Sequence, residues 1–318
     1  MQLVRQKEHH SQQGHRYAAG PRGRFGVAVA ALLVASLGTA CGSGESARPD
    51  KAEKAKAAKA AEAGAAGALS AAEKAKTAQQ ARIAAAKKWR LLKPPLTAPA
   101  APKEKPEIET RDGFEVYDHE EDELPPVFTT VPTEDKVVFL TVDDGSEKDP
   151  EFLRMMQELK IPYTAFLSDY LVRDNYPYFK QMQAAGVTLN NHTLNHRYMP
   201  GLSYEKQREE ICGQQDTIQK QFGKRPTLFR PPYGNYNHDT LRAAKSCGIK
   251  AVPLWNAEAF TNRMDYREWD RDLHPGDIIL THFRGKEDWK GTMPDMIRQV
   301  MKTVTDKGYA VARLEDYL

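Results

Sequence analysis

With 318 residues the chain has room for about two domains. Its 46 Lys and Arg stand against 43 Asp and Glu, a formal charge of +3, and so near a balance gives no sign of nucleic-acid binding. The balance conceals three zones: a basic N-terminal stretch, an acidic segment and a nearly neutral C-terminal domain.

Met1 to Arg24 is basic, and Phe25 to Ala40 is an uncharged run of Ala, Val and Leu. That run is short for a membrane span and suits the core of a secretory signal. It ends in Leu37-Gly38-Thr39-Ala40-Cys41, which resembles a lipobox, with Leu one place further upstream than usual. The resemblance implies a lipidated Cys41 as the mature N-terminus, and so an exported chain held at the outer face of the cell membrane. A plain signal peptide or an uncleaved anchor are the alternatives. Residues 1–41 are thus read as signal and lipobox.

Residues 42–126 are read as tether and linker. Asp50 to Arg90 is Ala-rich and studded with Lys and Glu, which predicts a semi-rigid helix interrupted near Gly64 and Gly67. No sustained apolar heptad is present, which argues against a coiled coil. Basic residues outnumber acidic ones here, which suits contact with anionic envelope polymers or a merely solvated spacer. Pro94, Pro95, Pro99, Pro102 and Pro106 then predict an extended linker, followed by an acidic stretch ending at Glu123.

Residues 127–318 are read as one globular domain, in which strand-like and helix-like runs alternate. Strands are predicted at 137–142, 163–167, 187–190, 227–230, 251–255, 277–281 and 309–312, with helices at 150–159, 176–185, 204–222, 240–246 and 294–307. Gly186, Gly248 and Gly308 each follow a helix and precede a strand, as left-handed caps do. Such alternation predicts an α/β fold with a parallel sheet, and about seven such units suggest a distorted, incomplete (β/α) barrel. Cys212 and Cys247 flank predicted helices, and in an exported chain they form a disulfide or stay as inert thiols; neither has a CxxC partner for zinc.

The chemistry gathers at predicted strand ends. Val137 to Val142 is an apolar run that stops in Asp143-Asp144-Gly145, a turn that can also bring two carboxylates to one site. Asn191-His192-Thr193-Leu194-Asn195-His196 follows another strand, and a helical turn there would put both imidazoles on one face. With a carboxylate from the earlier strand this makes three N and O donors, the composition of a catalytic zinc site that leaves room for water. Arg230-Pro231-Pro232-Tyr233-Gly234 fixes Arg230 in an extended turn, where it can clamp a carboxylate, and leaves the Tyr233 N–H for a ligand. Leu280-Thr281-His282 ends a further apolar strand in a histidine.

These four motifs, in this order and spacing, resemble the polysaccharide deacetylase family, carbohydrate esterase family 4, over about Val137 to Leu318. The resemblance implies removal of acetyl groups from a polysaccharide with a divalent metal, most naturally Zn²⁺. It implies that Asp143 is the base and that Asp144, His192 and His196 are metal ligands. By the same resemblance Arg230 holds the base, Tyr233 supplies the oxyanion donor, Leu280 lines the acetyl pocket and His282 is the acid. Two departures stand out. Val142 replaces the usual aromatic before the Asp pair, and the Asp-Trp motif that tunes the acid is not visible. Where it is expected the chain reads Leu254-Trp255-Asn256-Ala257-Glu258-Ala259-Phe260; Trp255 could wall the pocket, and Glu258 or Asp265 is a candidate for the missing carboxylate. A surface protein that binds glycan without turnover, or a hydrolase of another acylated substrate, are the rival readings.

Overall fold

The computed structural model of the chain describes residues 73–116 and 123–318. The signal stretch, Cys41, Gly64 and Gly67 lie outside the described residues. Among the described residues no helix is long and apolar enough to cross a membrane.

Helix α1 occupies 73–88 and is solvated over most of its length, as its Ala/Lys composition dictates. Its end is different. Ala86 and Trp89 are buried in the main core cluster, and Trp89 Nε1 donates to Glu158 Oε2 at 2.7 Å. The Pro-rich stretch that follows runs along the domain, where Ala98, Ile108 and Phe114 pack against core residues. Arg111 Nη1 donates to Asn256 Oδ1 at 3.2 Å, and Tyr236 donates its hydroxyl to the Phe114 carbonyl. Within the stretch 42–126, read as tether and linker, the part from Ala86 to Phe114 thus also packs against the domain. Proline dictates an extended backbone there, but the side chains between the prolines are apolar or bond-forming and strap the domain.

Strand β1 is Val127–Phe128 and β2 is Val137–Asp144, whose eight residues are all buried. Helix α2, Pro150–Leu159, is capped by Asp149 and buries Phe152, Leu153, Met155, Met156 and Leu159 on one stripe. There follow β3 (Thr164–Leu167), the short α3 (Asp169–Val172), α4 (Tyr176–Ala184), β4 (Thr188–Asn191) and α5 (Tyr204–Phe222). Helix α6 is His238–Ser246, and β5 is Val252–Pro253. Then come β6 (Ala257–Ala259), β7 (Met264–Tyr266), β8 (Ile278–His282), α7 (Lys286–Trp289), α8 (Met293–Asp306) and β9 (Ala310–Ala312). Gly186, Gly248 and Gly308 have φ of 90°, 84° and 78°, the left-handed conformation expected of helix caps.

The main sheet runs β4-β3-β2-β8-β6-β7, with β9 on the first residues of β2. All its pairings are parallel except β6 with β7. An all-parallel set of about seven strands is thus corrected. The stretches predicted at 227–230 and 251–255 shrink to single parallel bridges, Asn191 to Phe229 and Leu228 to Ala251, and to the two-residue β5. Proline explains this, since Pro226, Pro231, Pro232 and Pro253 lack the N–H that a ladder needs. The β6–β7 hairpin escapes a sequence reading because each strand, Ala257–Ala259 and Met264–Tyr266, alternates over only three residues, too few for a period to stand out. Strand β1 pairs with β5, and Ile278 N donates to the Thr129 carbonyl. The C-terminal ends of β2, β3, β4 and β8 all open on one side, which is where parallel strands present ligands. Cys212 of α5 and Cys247 at the end of α6 form a disulfide.

Candidate active site

Register builds the site. In the β2–β8 ladder Asp143 is opposite His282, and in the β2–β3 ladder Asp144 is opposite Leu167. Leu167 is opposite Asn191 on β4, and Arg230 N donates to the Asn191 carbonyl at 3.0 Å. Adjacent parallel strands thus deliver Asp143, Asp144, His192, Arg230 and His282 to one end of the sheet.

Arg230 is fully buried and spends its donors on four fixed acceptors. Nη1 donates to Asp143 Oδ1 and Thr141 Oγ1, both at 2.8 Å, Nε to the Pro253 carbonyl at 2.7 Å, and Nη2 to the Leu254 carbonyl at 3.0 Å. Its guanidinium lies 4.3 Å from the Phe166 ring centre. Burial lowers its pKa below the ordinary value while the Asp143 charge opposes the shift.

Asp144, at φ 84°, turns away from Asp143. Its Oδ1 is buried and accepts no hydrogen bond, although His196 Nε2 lies 3.2 Å and His192 Nε2 3.6 Å away. One donor atom from each of Asp144, His192 and His196 lies within 4.8 Å of the others. The Nδ1 of His192 sits 2.6 Å from the Arg230 carbonyl, which holds the proton on Nδ1 and leaves Nε2 as a ligand lone pair. An orphaned carboxylate oxygen facing two imidazole nitrogens fits a divalent ion with N and O preference. Burial raises the Asp144 pKa, but the adjacent imidazoles of His192 and His196 outweigh it and hold the carboxyl well below its usual range.

The two histidines do not meet through a helical turn, as their spacing suggests. Thr193 and His196 take φ of 69° and 52°, and this bend sets the rings 4.9 Å apart. Glu210 secures it by accepting from the Asn195 N–H and side-chain amide, each at 2.8 Å.

Tyr233 has φ 62°, is 62% exposed, and stands edge-on to His196 with ring centres 4.8 Å apart. Gly234, at φ 69°, has no room for a side chain, because a Cβ there would come within 2.8 Å of Trp255 Cη2. Trp255 therefore walls the Arg230-Pro231-Pro232-Tyr233-Gly234 loop. Leu280 is buried on β8 between Thr141 and Glu258.

His282 has Glu258 as its neighbour, with Glu258 Oε1 3.8 Å from His282 Nδ1. Asp265 is excluded from this role: it lies on β7, paired with Arg263 at 3.2 Å and exposed. Burial, reinforced by the charges of Asp265 and Asp143, pushes Glu258 up to about 7. Burial also pulls His282 below its ordinary value against the charges of Asp144 and Asp143.

Sequence reasoning passes over three contributors. Thr141 is hidden in an apolar strand. Arg284, two residues past His282, donates from Nη2 to Asp144 Oδ2 at 2.8 Å. Trp289 stands edge-on to His282 with ring centres 6.0 Å apart. Only the position of Arg284 next to the Leu280-Thr281-His282 motif could have flagged it.

Residues 130–252 match the sequence profile described as Polysaccharide deacetylase. An uncharacterized protein of Streptomyces coelicolor is 41% identical over 196 residues, 61% of this chain and 78% of that one. A peptidoglycan-N-acetylglucosamine deacetylase of Bacillus cereus is 27% identical over 59% of this chain and 91% of its own length. A family 4 carbohydrate esterase structure from Bacillus anthracis superposes with a TM-score of 0.50 at 27% identity, over 60% of this chain and 86% of that one. A buried aspartate clamped by a buried arginine, beside an Asp-His-His cluster at the ends of parallel strands, accompanies these likenesses, and the chain belongs to the polysaccharide deacetylase family.

Proposed function

We propose that this chain is an exported, membrane-tethered deacetylase that uses a divalent metal, Zn²⁺ by its donor set, to remove acetyl groups from an envelope polysaccharide containing N-acetylglucosamine. The observation that carries the reading is Asp143, held by Arg230 at 2.8 Å and opposite His282, directly beside the Asp144, His192 and His196 cluster. The relative from Bacillus cereus supports the choice of sugar. Export and lipidation at Cys41 rest on the N-terminal apolar run and its small residues. The run of parallel pairings from β8 through β2, β3 and β4, on through the bridges at Phe229 and Ala251 to β5 and β1, supports a distorted, incomplete (β/α) barrel as the frame, and it returns to β8 by an antiparallel bridge from Thr130 to Asp277.

A divalent ion held by Asp144, His192 and His196 would polarise the acetyl carbonyl and lower the pKa of water to about 7. The remaining work belongs to the chain. Asp143, fixed by Arg230, takes the proton of the attacking water, and Arg230 keeps that carboxylate aimed rather than free to rotate. His282, on the opposite strand, gives a proton to the departing amine. The Tyr233 N–H serves the oxyanion, a contribution of about 3 kcal/mol per donor in other acyl-transfer sites. Leu280 and Trp255 make the apolar walls that receive the acetyl methyl.

Acetate release from acetylated chitooligosaccharides and from peptidoglycan, with and without chelator, tests the reading. Chelator-sensitive release is expected. Glycan binding with no release from either substrate would instead establish a surface binding protein on this scaffold.

A further inference from the structure

A second concavity of ≈ 510 Å³ adjoins the site without belonging to its motifs. It lies between the strap and the loops around α7. Trp289 lines it and also stands edge-on to His282, with ring centres 6.0 Å apart. The β6–β7 turn closes the same side, where Thr261 Oγ1 donates to the Trp289 carbonyl at 3.1 Å. On the far side are Arg90, Leu91 and Leu92, where α1 gives way to the strap.

The charge of the lining is one-sided: Arg90, Lys290, Arg298 and Lys302 against Asp295 alone. Asp295 is already engaged. It caps α8 by accepting from the Thr292 N–H at 2.9 Å, and it also pairs with Arg298. Arg298 is further fixed by donating from Nε to the Trp89 carbonyl at 2.9 Å, and Lys302 pairs with Asp306 at 3.2 Å. Arg90 and Lys290 have no ion-pair partner among the described residues and are exposed. An indole, amide and hydroxyl side chains at Asn262 and Thr261, and two unspent cations make a lining suited to a sugar that carries negative charge. The volume is within the range of small-molecule sites, roughly 300–1,000 Å³.

We infer that this groove is a subsite for an anionic glycan chain, completed by the strap, which holds a charged sugar beyond the one being deacetylated. The inference rests on the deacetylase reading, since the groove shares Trp289 with the site that would act on the chain. It gives the basic end of the Ala/Lys-rich segment a task beyond spacing.

The test uses the full chain and the double variant Arg90→Gln, Lys290→Gln. Both residues are exposed, so the fold should persist, and circular dichroism checks this. The probes are soluble peptidoglycan glycan strands, which carry carboxylates, and neutral acetylated chitotetraose. The ratio of kcat/KM for the anionic strand to that for the neutral tetramer should fall about tenfold, the combined effect of two rim charges. The wild-type ratio should also fall as salt is raised. Restoring charge with Arg90→Lys, Lys290→Arg should restore the ratio. A ratio unchanged in the glutamine variant, or an equal loss on the neutral tetramer, overturns the subsite. Should neither probe release acetate, the deacetylase reading fails separately, and calorimetric binding of the anionic strand decides the groove. Weaker binding by the glutamine variant upholds it, and equal binding overturns it.

Discussion

Arg230 and Asp143 form a buried pair in which Nη1 donates to Oδ1 at 2.8 Å, with both side chains almost completely shielded from solvent. The guanidinium is also bound to Thr141, Pro253 and Leu254, so its position is set by two strands, β2 and β5 with the residue that follows it. Arg230→Ala leaves the Asp143 carboxylate buried and unpaired, and should destabilise the domain by about 3–5 kcal/mol. Arg230→Lys cannot restore the planar set of donors and should recover only part of this. Urea denaturation of the two variants measures both.

Asp143 acts only as the reaction proceeds, in the reading proposed above. Asp143→Asn should lower kcat and kcat/KM together, by about 10²–10⁴-fold for a single acid or base. Glycan affinity and bound metal should be nearly kept. Equal, slow acetate release by wild type and variant would show that Asp143 carries no catalysis.

The Asp144, His192 and His196 cluster makes a separate prediction. His192→Ala or Asp144→Asn removes one of three donors, and each should abolish stoichiometric metal in elemental analysis of the purified chain. Asp143→Asn should retain the metal, which separates ligand from base. Metal content undiminished in the His192 variant would place the ion elsewhere.

Glu258 gives a pH prediction on two levels. Its carboxyl is pushed up from 4.5 to about 7 in the fold, chiefly by burial. Between those values the folded chain keeps a proton that the unfolded chain has lost, so this residue's contribution to stability falls as pH rises through the window. The loss amounts to at most about 3 kcal/mol. Glu258→Gln never ionises, and the gap between its melting temperatures at pH 5 and pH 8 should narrow. Above pH 7 the Glu258 charge, 3.8 Å from His282 Nδ1, favours the imidazolium. The glutamine variant should therefore move the alkaline limb of the kcat profile to lower pH.

The strap contributes to the core. Trp89 is 7% exposed and bonded to Glu158, so Trp89→Ala should cost about 3–5 kcal/mol, the usual range for a buried aromatic. A thermal melt of the variant shows it. A melting temperature equal to wild type would return residues 73–116 to the status of a spacer.

Local features of this chain were legible without coordinates. An apolar run buried on both faces announces β2, three- and four-residue spacings announce the stripe on α2, and glycine after a helix announces the caps at Gly186, Gly248 and Gly308. Each is written in a few neighbouring residues, because backbone geometry and side-chain direction repeat over short distances. The α/β class follows from their alternation. What folding alone decided is the set of distances between remote segments. Proline composition told that residues 94–106 are extended, but not that the stretch lies along the core. Spacing from His282 could not choose between Glu258 and Asp265; parallel pairing of β6 with β8 and the antiparallel return of β7 put the first beside the imidazole and the second in solvent. Arg284 meets Asp144 across 140 residues of sequence. Such meetings depend on which strand edges pair and how the chain returns, and sheet pairing is a non-local choice that periodicity within a segment does not encode.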